Sequence, residues 1–142
     1  MSKMPAVKAF LLVMTSAGFL VAEDKPATCG DLLAELHKKP KNLEFMSCSR
    51  HMELQGKPWK AVYRVTGTHA AEIEQFLIRE FRIKKITHAC CDWASTQNSY
   101  VAKDGRVFIV EMGSGETLVH TREQWRKIPY FDVEVELETE EP

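Results

Sequence analysis

The residues with the clearest chemical potential lie in one short segment, His88, Cys90, Cys91, Asp92 and Trp93. An imidazole beside a thiol can lower the pKa of the thiol and produce a thiolate nucleophile. Imidazole, thiolate and carboxylate are also metal ligands, but this segment lacks the two spaced ligand pairs that are typical of structural zinc. We therefore expect no metal and no other cofactor, and we assign no catalytic residue.

The residues before this segment favour a strand, because residues 84–87 contain isoleucine and threonine. Successive side chains of a strand point to opposite faces, so Cys90 and Cys91 would suit two separate partners. A bridge between them would close a small, strained ring, since disulfides prefer Cα atoms further apart than those of neighbouring residues. We expect bridges from Cys29 and Cys48 to this pair, in either of two pairings.

The amino-terminal residues predict export. Lys3 and Lys8 precede an apolar run at residues 9–22, after which the chain becomes polar. A basic start, a short apolar run and a small residue at its end are typical of a secretory signal peptide. The sequence therefore predicts a signal peptide at residues 1–22, a periplasmic or secreted location, and no membrane contact after cleavage.

Removal of the signal peptide leaves about 120 residues, which is the size of one domain with a modest core. We assign residues 23–142 to a single domain. Its four cysteines, an even number in an exported chain, indicate a disulfide framework. Two bridges from Cys29 and Cys48 to the adjacent pair would close loops of roughly 40 to 60 residues, each contributing about 4 kcal/mol in the chain-entropy model.

The first half of the domain predicts a helix, a hairpin and a second helix. A helix with Cys29 in its first turn precedes two extended segments, residues 43–54 and 59–65, which a turn with glycine and proline separates. Residues 68–81 then carry apolar side chains at helical spacing, and Glu74 is expected on the face of this helix that contacts water.

The second half predicts mainly strands. The Asp-Gly pair at residues 104–105 is typical of two-residue hairpin turns and would join strands at residues 99–103 and 106–112. A capping box at Thr121 begins a short helix, and residues 131–138 then alternate between apolar and acidic side chains. This order predicts an α+β domain, stabilised by disulfides, in which two or three helices pack on one face of a mostly antiparallel sheet.

Charge is distributed unevenly along the chain. From residue 132 onward there are six carboxylates and no basic side chain, whereas nineteen basic residues accompany fourteen acidic ones before it. The acidic strand suits either an edge strand protected from self-pairing or a docking surface for a basic protein. The chain has no basic patch for nucleic acid. We expect partner contacts from the acidic strand and from the cysteine segment with its following loop, at Asp132, Glu134, Glu136, Glu138, Trp93 and Gln97.

Four short motifs carry a resemblance to a known family. They are Cys29-Gly30-Asp31-Leu32-Leu33, Tyr63-Arg64-Val65, Cys90-Cys91-x-Trp93, and Tyr100 with the strand at residues 107–112. Together they resemble a family of small exported bacterial domains of unknown function, over nearly the whole mature chain. The resemblance implies export in a Gram-negative bacterium and paired cysteines, and it supplies no catalytic residue.

These observations predict an exported, non-enzymatic protein-binding domain of the inhibitor or immunity type. Small periplasmic domains include immunity proteins that block a toxic enzyme from a rival cell, and the analogy rests on size and compartment. The alternative is a small hydrolase or thiol-dependent enzyme centred on His88 and the two adjacent cysteines. Free thiols would favour the enzyme, and complete disulfide pairing would favour the binding domain.

Overall fold

The structure is a computed structural model, and it describes residues 29–36 and 38–140. The predicted signal peptide, with its cleavage site, lies outside the described residues. So do residues 23–28 and the last two residues of the predicted domain. The domain boundaries predicted from the sequence therefore stay predictions.

The described chain is built on one seven-stranded sheet. Its elements are α1 (Leu32–Glu35), β1 (Glu44–Arg50), β2 (Trp59–Thr66), α2 (Ala70–Phe81), β3 (Thr87–Ala89), β4 (Asp92–Ala94), β5 (Asn98–Val101), β6 (Val107–Glu116), a 3-10 helix (Arg122–Lys127) and β7 (Tyr130–Leu137). The strands lie in the order β1-β2-β7-β6-β4-β3, β5 also pairs with β6, and each of these pairings is antiparallel. The predicted antiparallel sheet is confirmed, whereas the packing of the helices on one face stays a prediction.

The final strand, β7, lies inside the sheet. It pairs along its length with β2 on one side and with β6 on the other. Phe131, Val133 and Val135 are fully buried in the core, while the acidic residues alternate with them. The interpretation of this segment as a protected edge strand is therefore wrong, because β7 has a paired strand on each side. The sequence alone could not identify these two neighbours.

Helix α2 forms where the apolar spacing predicts it, but one of its polar residues is buried. Ile73, Leu77 and Phe81 face the core, as expected from their positions along one side of the helix. Glu74 was predicted to face water and is only 3% exposed. A carboxylate this deeply buried requires charged or hydrogen-bonding partners, and the structure provides them.

Glu74 is held by a guanidinium and by backbone. Its Oε1 accepts a hydrogen bond from Nη1 of Arg122 at 2.7 Å, and its Oε2 accepts from Nη2 at 2.8 Å. Oε2 also accepts from the backbone N–H of Ile86 at 2.9 Å, and Nη2 of Arg122 donates to the carbonyl oxygen of Ile86 at 2.7 Å. This bidentate pair joins α2, the segment before β3 and the 3-10 helix before β7.

The region around α1 is fixed to β2 by a second polar contact. The hydroxyl of Tyr63 donates to Oδ1 of Asp31 at 2.9 Å and accepts from the backbone N–H of Leu33 at the same distance. Asp31 also caps the helix by accepting from the N–H of Ala34. Cys29 was predicted in the first turn of this helix, but it precedes the cap.

The 3-10 helix packs closely against the end of β2, and Gly67 makes that approach possible. A Cβ atom at Gly67 would collide with the carbonyl oxygens of Trp125 and Ile128. The ring of Trp125 lies 4.9 Å from that of Phe131 and is itself buried. A residue without a side chain therefore lets the 3-10 helix close over this part of the core.

The predicted hairpin between β5 and β6 is present, with a longer turn than expected. Val101 is opposite Val107, and the N–H of Ala102 donates to the carbonyl of Arg106. Gly105 has a φ of 87°, which a residue without a Cβ adopts at low cost. The turn therefore extends beyond the Asp-Gly pair on which the prediction was based.

We expect Arg122→Ala to lower the free energy of unfolding by about 3 to 5 kcal/mol, because it leaves the buried Glu74 carboxylate without its cation. Urea unfolding at neutral pH, followed by circular dichroism, measures the change. Arg126→Ala is the matched control, since Arg126 lies on the same 3-10 helix and is exposed. Equal unfolding midpoints for the two variants would contradict the structural role of the pair.

Candidate functional site

The cysteine segment forms the tip of a short hairpin between β3 and β4. His88 lies opposite Trp93 in the register of the two strands. Cys90 and Cys91 occupy the turn and are exposed, and Cys90 has a φ of 52°, in the left-handed region. The strand that was predicted to continue through both cysteines instead ends at Ala89.

The disulfide pairing predicted from the sequence is wrong. Cys90 is bonded to Cys91, and Cys29 is bonded to Cys48, with Cα separations of 3.8 Å and 5.5 Å. A strand would have kept adjacent sulfurs on opposite faces, whereas the turn brings them together. All four cysteines form cross-links, as expected, but in a pairing that had been set aside.

The Cys29–Cys48 bridge joins residues only 19 positions apart. In the chain-entropy model a loop of this size contributes about 3 kcal/mol, somewhat less than the longer loops predicted. Cys48 lies opposite Ala61 of β2 and packs at the margin of the core. The bridge therefore fastens the segment before α1 to the outer strand β1.

An aromatic cluster supports the hairpin from within. The ring of Trp93 lies 5.2 Å from the rings of both His88 and Trp125, and its Nε1 donates to the carbonyl of Val119 at 2.8 Å. The ring of His120 lies 6.4 Å from that of His88. Trp93 is only 5% exposed, so this predicted contact residue offers a partner little surface.

The chemistry available to the hairpin depends on its disulfide. Among the described residues, which include all four cysteines, none has a free thiol. A thiolate nucleophile beside His88 would therefore require reduction of the bridge first. The Nε2 atom of His88 is buried and has no hydrogen-bond partner within the described part of the chain. In residues 29–36 and 38–140, no group of three or more His, Cys, Asp or Glu side chains is arranged to hold a metal ion.

The acidic residues of β7 face cations on β2. Nε of Arg64 lies 2.9 Å from a carboxylate oxygen of Asp132. Nζ of Lys60 lies 3.0 Å from Glu134 and 2.9 Å from Glu136. Burial lowers the pKa of Lys60, but hydrogen bonds to the two glutamates outweigh this effect and hold the pKa above its usual value. Asp132, Glu134 and Glu136 are thus paired with cations within the sheet.

Glu111 on β6 differs from these carboxylates in its surroundings. It lies directly opposite Glu134, and no Lys, Arg or His in the described residues is within 4.0 Å of its carboxylate. Burial, the negative charge of Glu134 and a hydrogen bond shared with it raise the pKa of Glu111, and the positive charge of Lys60 offsets only part of this effect. The two residues line a hollow of about 280 Å³ together with Ala94, Ser95, Met112, Gly113, Gly115 and Asp132.

The sequence analysis assigned no role to Glu111. Glu116, the other carboxylate of β6, lies opposite Asp92 at the end of the strand. Two other predicted contact residues, Gln97 and Glu138, are exposed, in the loop before β5 and just after β7. The pairing of Glu111 could not be found without the register between β6 and β7.

A mostly antiparallel sheet, short helices and two disulfides define a small, disulfide-stabilised α+β domain. The chain belongs to the family described as a domain of unknown function (DUF4952), whose model matches residues 20–93. This confirms the resemblance to an uncharacterised domain, and three of the four motifs fall within the matched range. The match does not test the motif residues individually.

The comparison with curated proteins and the comparison with solved structures each gave no match. None of the helices in the described part of the chain has the length and apolar character that crossing a bilayer requires. The family and the fold together place the chain in a structural class.

The burial of Glu111 and its contact with Glu134 predict a pH dependence of stability. The pKa of Glu111 is raised in the folded state, so its contribution is fully present below the unfolded value and is lost as pH rises through the folded pKa. We expect Glu111→Gln to remove this loss. The difference in free energy of unfolding between the variant and the wild type should therefore grow from pH 4 to pH 7.5.

Urea unfolding at several pH values measures this difference. Glu116→Gln removes the same charge from the same strand outside the hollow and serves as the control. A difference between Glu111→Gln and wild type that stays constant with pH would show that folding does not raise the pKa of Glu111.

Proposed function

We propose that this chain is an exported, non-enzymatic domain of the inhibitor or immunity type that binds a basic surface of another protein. The observation that carries the proposal is the contact of Glu111 with Glu134 in an open hollow on the sheet. Burial of Glu111 and the facing charge of Glu134 disfavour the ionised form of Glu111 in the folded protein. Such perturbed groups concentrate at functional sites, where a ligand compensates them.

A basic side chain of the partner would supply the missing cation. In this part of the sheet, Lys60 and Arg64 are already engaged by the carboxylates of β7, so Glu111 remains for an external group. A lysine or arginine entering the hollow would contact both Glu111 and Glu134 and would favour the ionised form of Glu111. Because the bound cation prefers the carboxylate form of Glu111, affinity should rise as pH rises through the pKa of that residue.

The small residues around the hollow suit an inserted side chain. Ala94 and Gly113 lie opposite each other on β4 and β6 and leave the carboxylates accessible, and Ser95 adds a hydroxyl. The exposed Gln97 and Glu138 are further candidates for contacts around this face. The acidic face would also speed the approach of a basic partner, in a manner that salt weakens.

Export is supported by the disulfides. Structural disulfides are typical of secreted and periplasmic proteins, because thiols in the cytosol are kept reduced. The basic start and apolar run of residues 1–22, which polar residues follow, fit the signal peptide that export requires. Together they favour a periplasmic or secreted domain, in agreement with the proposed role in binding another protein.

A lysine-rich peptide provides a direct probe of the hollow. We expect titration into the isotope-labelled chain at pH 7 to shift the NMR signals of Ala94, Ser95 and Gly113 most strongly. Glu111→Gln should weaken binding about tenfold, which corresponds to about 1.4 kcal/mol. Glu116→Gln should leave binding unchanged. Shifts spread evenly over the surface, or equal affinities for both variants, would contradict the proposal.

Expression of the full chain in a Gram-negative host tests the compartment. We expect the protein in the periplasmic fraction, with an intact mass that begins at residue 23 and includes two disulfides. Leu12→Arg interrupts the apolar run and should retain the chain in the cytosol. An uncut wild-type chain in the cytosol would overturn the assignment to an exported protein.

A further inference from the structure

We propose that the Cys90–Cys91 bridge is a reversible redox site, which a dithiol reductant opens while Cys29–Cys48 stays closed. This inference is independent of the proposed binding function. It rests on three features of the hairpin tip, which are the adjacency of its two cysteines, their exposure, and the contact of the turn with a neighbouring loop.

Adjacency makes this bridge the easier one to reduce. Disulfides are favoured at Cα separations of about 4.4 to 6.8 Å, and departures from this geometry make the bond more reducible. The peptide bond holds Cys90 and Cys91 at 3.8 Å, whereas Cys29 and Cys48 lie at the favoured 5.5 Å. Opening the adjacent bridge also frees Cys90 to leave its left-handed conformation, which costs a residue with a Cβ.

Access distinguishes the two bridges as well. Thiol–disulfide exchange requires a thiolate to reach a sulfur along the bond. Cys90 and Cys91 are exposed at the end of a hairpin, whereas Cys29 and Cys48 are half-buried and Cys48 packs against the core. A reductant therefore encounters the adjacent pair first.

A dithiol reductant supplies the electrons that open the bridge between Cys90 and Cys91. One thiolate of the reductant attacks a sulfur of the pair, the bond between the two cysteines breaks, and a mixed disulfide forms. The second thiolate of the reductant then attacks the reductant sulfur of that mixed disulfide and releases the protein dithiol. Two electrons pass to the protein, two protons are taken up by its thiolates, and the reductant leaves as a cyclic disulfide.

Reduction would be transmitted to the loop that follows β6. The carbonyl of Cys91 accepts a hydrogen bond from the N–H of Thr117 at 2.8 Å. The next residue, Leu118, is 99% exposed, and Val119 holds the indole of Trp93 through its carbonyl. When the bridge opens and the turn at Cys90 is released, the hydrogen bond between Thr117 and Cys91 weakens. The redox state of the pair therefore controls the position of the loop.

Redox titration of the mature chain in dithiothreitol buffers, with differential alkylation and peptide mapping, tests the inference. We expect Cys90 and Cys91 to become labelled at a ratio of reduced to oxidised dithiothreitol about a hundredfold lower than the ratio that Cys29 and Cys48 require. This corresponds to a reduction potential about 60 mV higher for the adjacent pair. The NMR signal of Thr117 should shift at the same midpoint. Reoxidation should restore the starting spectrum.

Simultaneous opening of both bridges, or earlier opening of Cys29–Cys48, would overturn the inference. So would free thiols at residues 90 and 91 in the protein as isolated from the periplasm, or an unchanged Thr117 signal after reduction. Cys91→Ser is the matched variant, because it cannot form the bridge and should show the spectrum of the reduced wild type at Thr117 in the absence of reductant.

Discussion

The fold depends on the buried ion pair between Glu74 and Arg122. A carboxylate inside a protein is costly unless a charge and hydrogen bonds compensate it, and here the guanidinium and the backbone of Ile86 do so together. The pair connects three elements that are distant along the chain. Arg122 also lies over the rings of Trp93 and Trp125, so the same side chain supports the cluster beneath the cysteine hairpin.

The motifs that carry the family resemblance have structural roles at several positions. Asp31 and Tyr63 belong to different motifs and are joined by a hydrogen bond that fixes α1 to β2. Cys29 closes the bridge to Cys48, and Trp93 fills the core below the hairpin. These contacts give residues of separate motifs a role in holding the fold together.

The two sites proposed for this chain are neighbours through β4. Its first residue, Asp92, follows the reducible turn, and its last, Ala94, lines the acidic hollow. Each site retains an unfavourable feature, a bridge between adjacent cysteines in one and facing carboxylates in the other. Neither feature adds to the stability of the fold, and each is the basis of one of the two proposals.

The sequence by itself determined the class of the fold, because hydrophobic periodicity and turn residues act locally. The spacing of Ile73, Leu77 and Phe81 predicted α2, and clean alternation predicted β7. Only the tertiary structure decided which strands are neighbours. Register between β6 and β7 placed Glu111 against Glu134, and the packing of α2 against the 3-10 helix buried Glu74. A turn in place of a strand paired Cys90 with Cys91. Such contacts depend on the path of the whole chain.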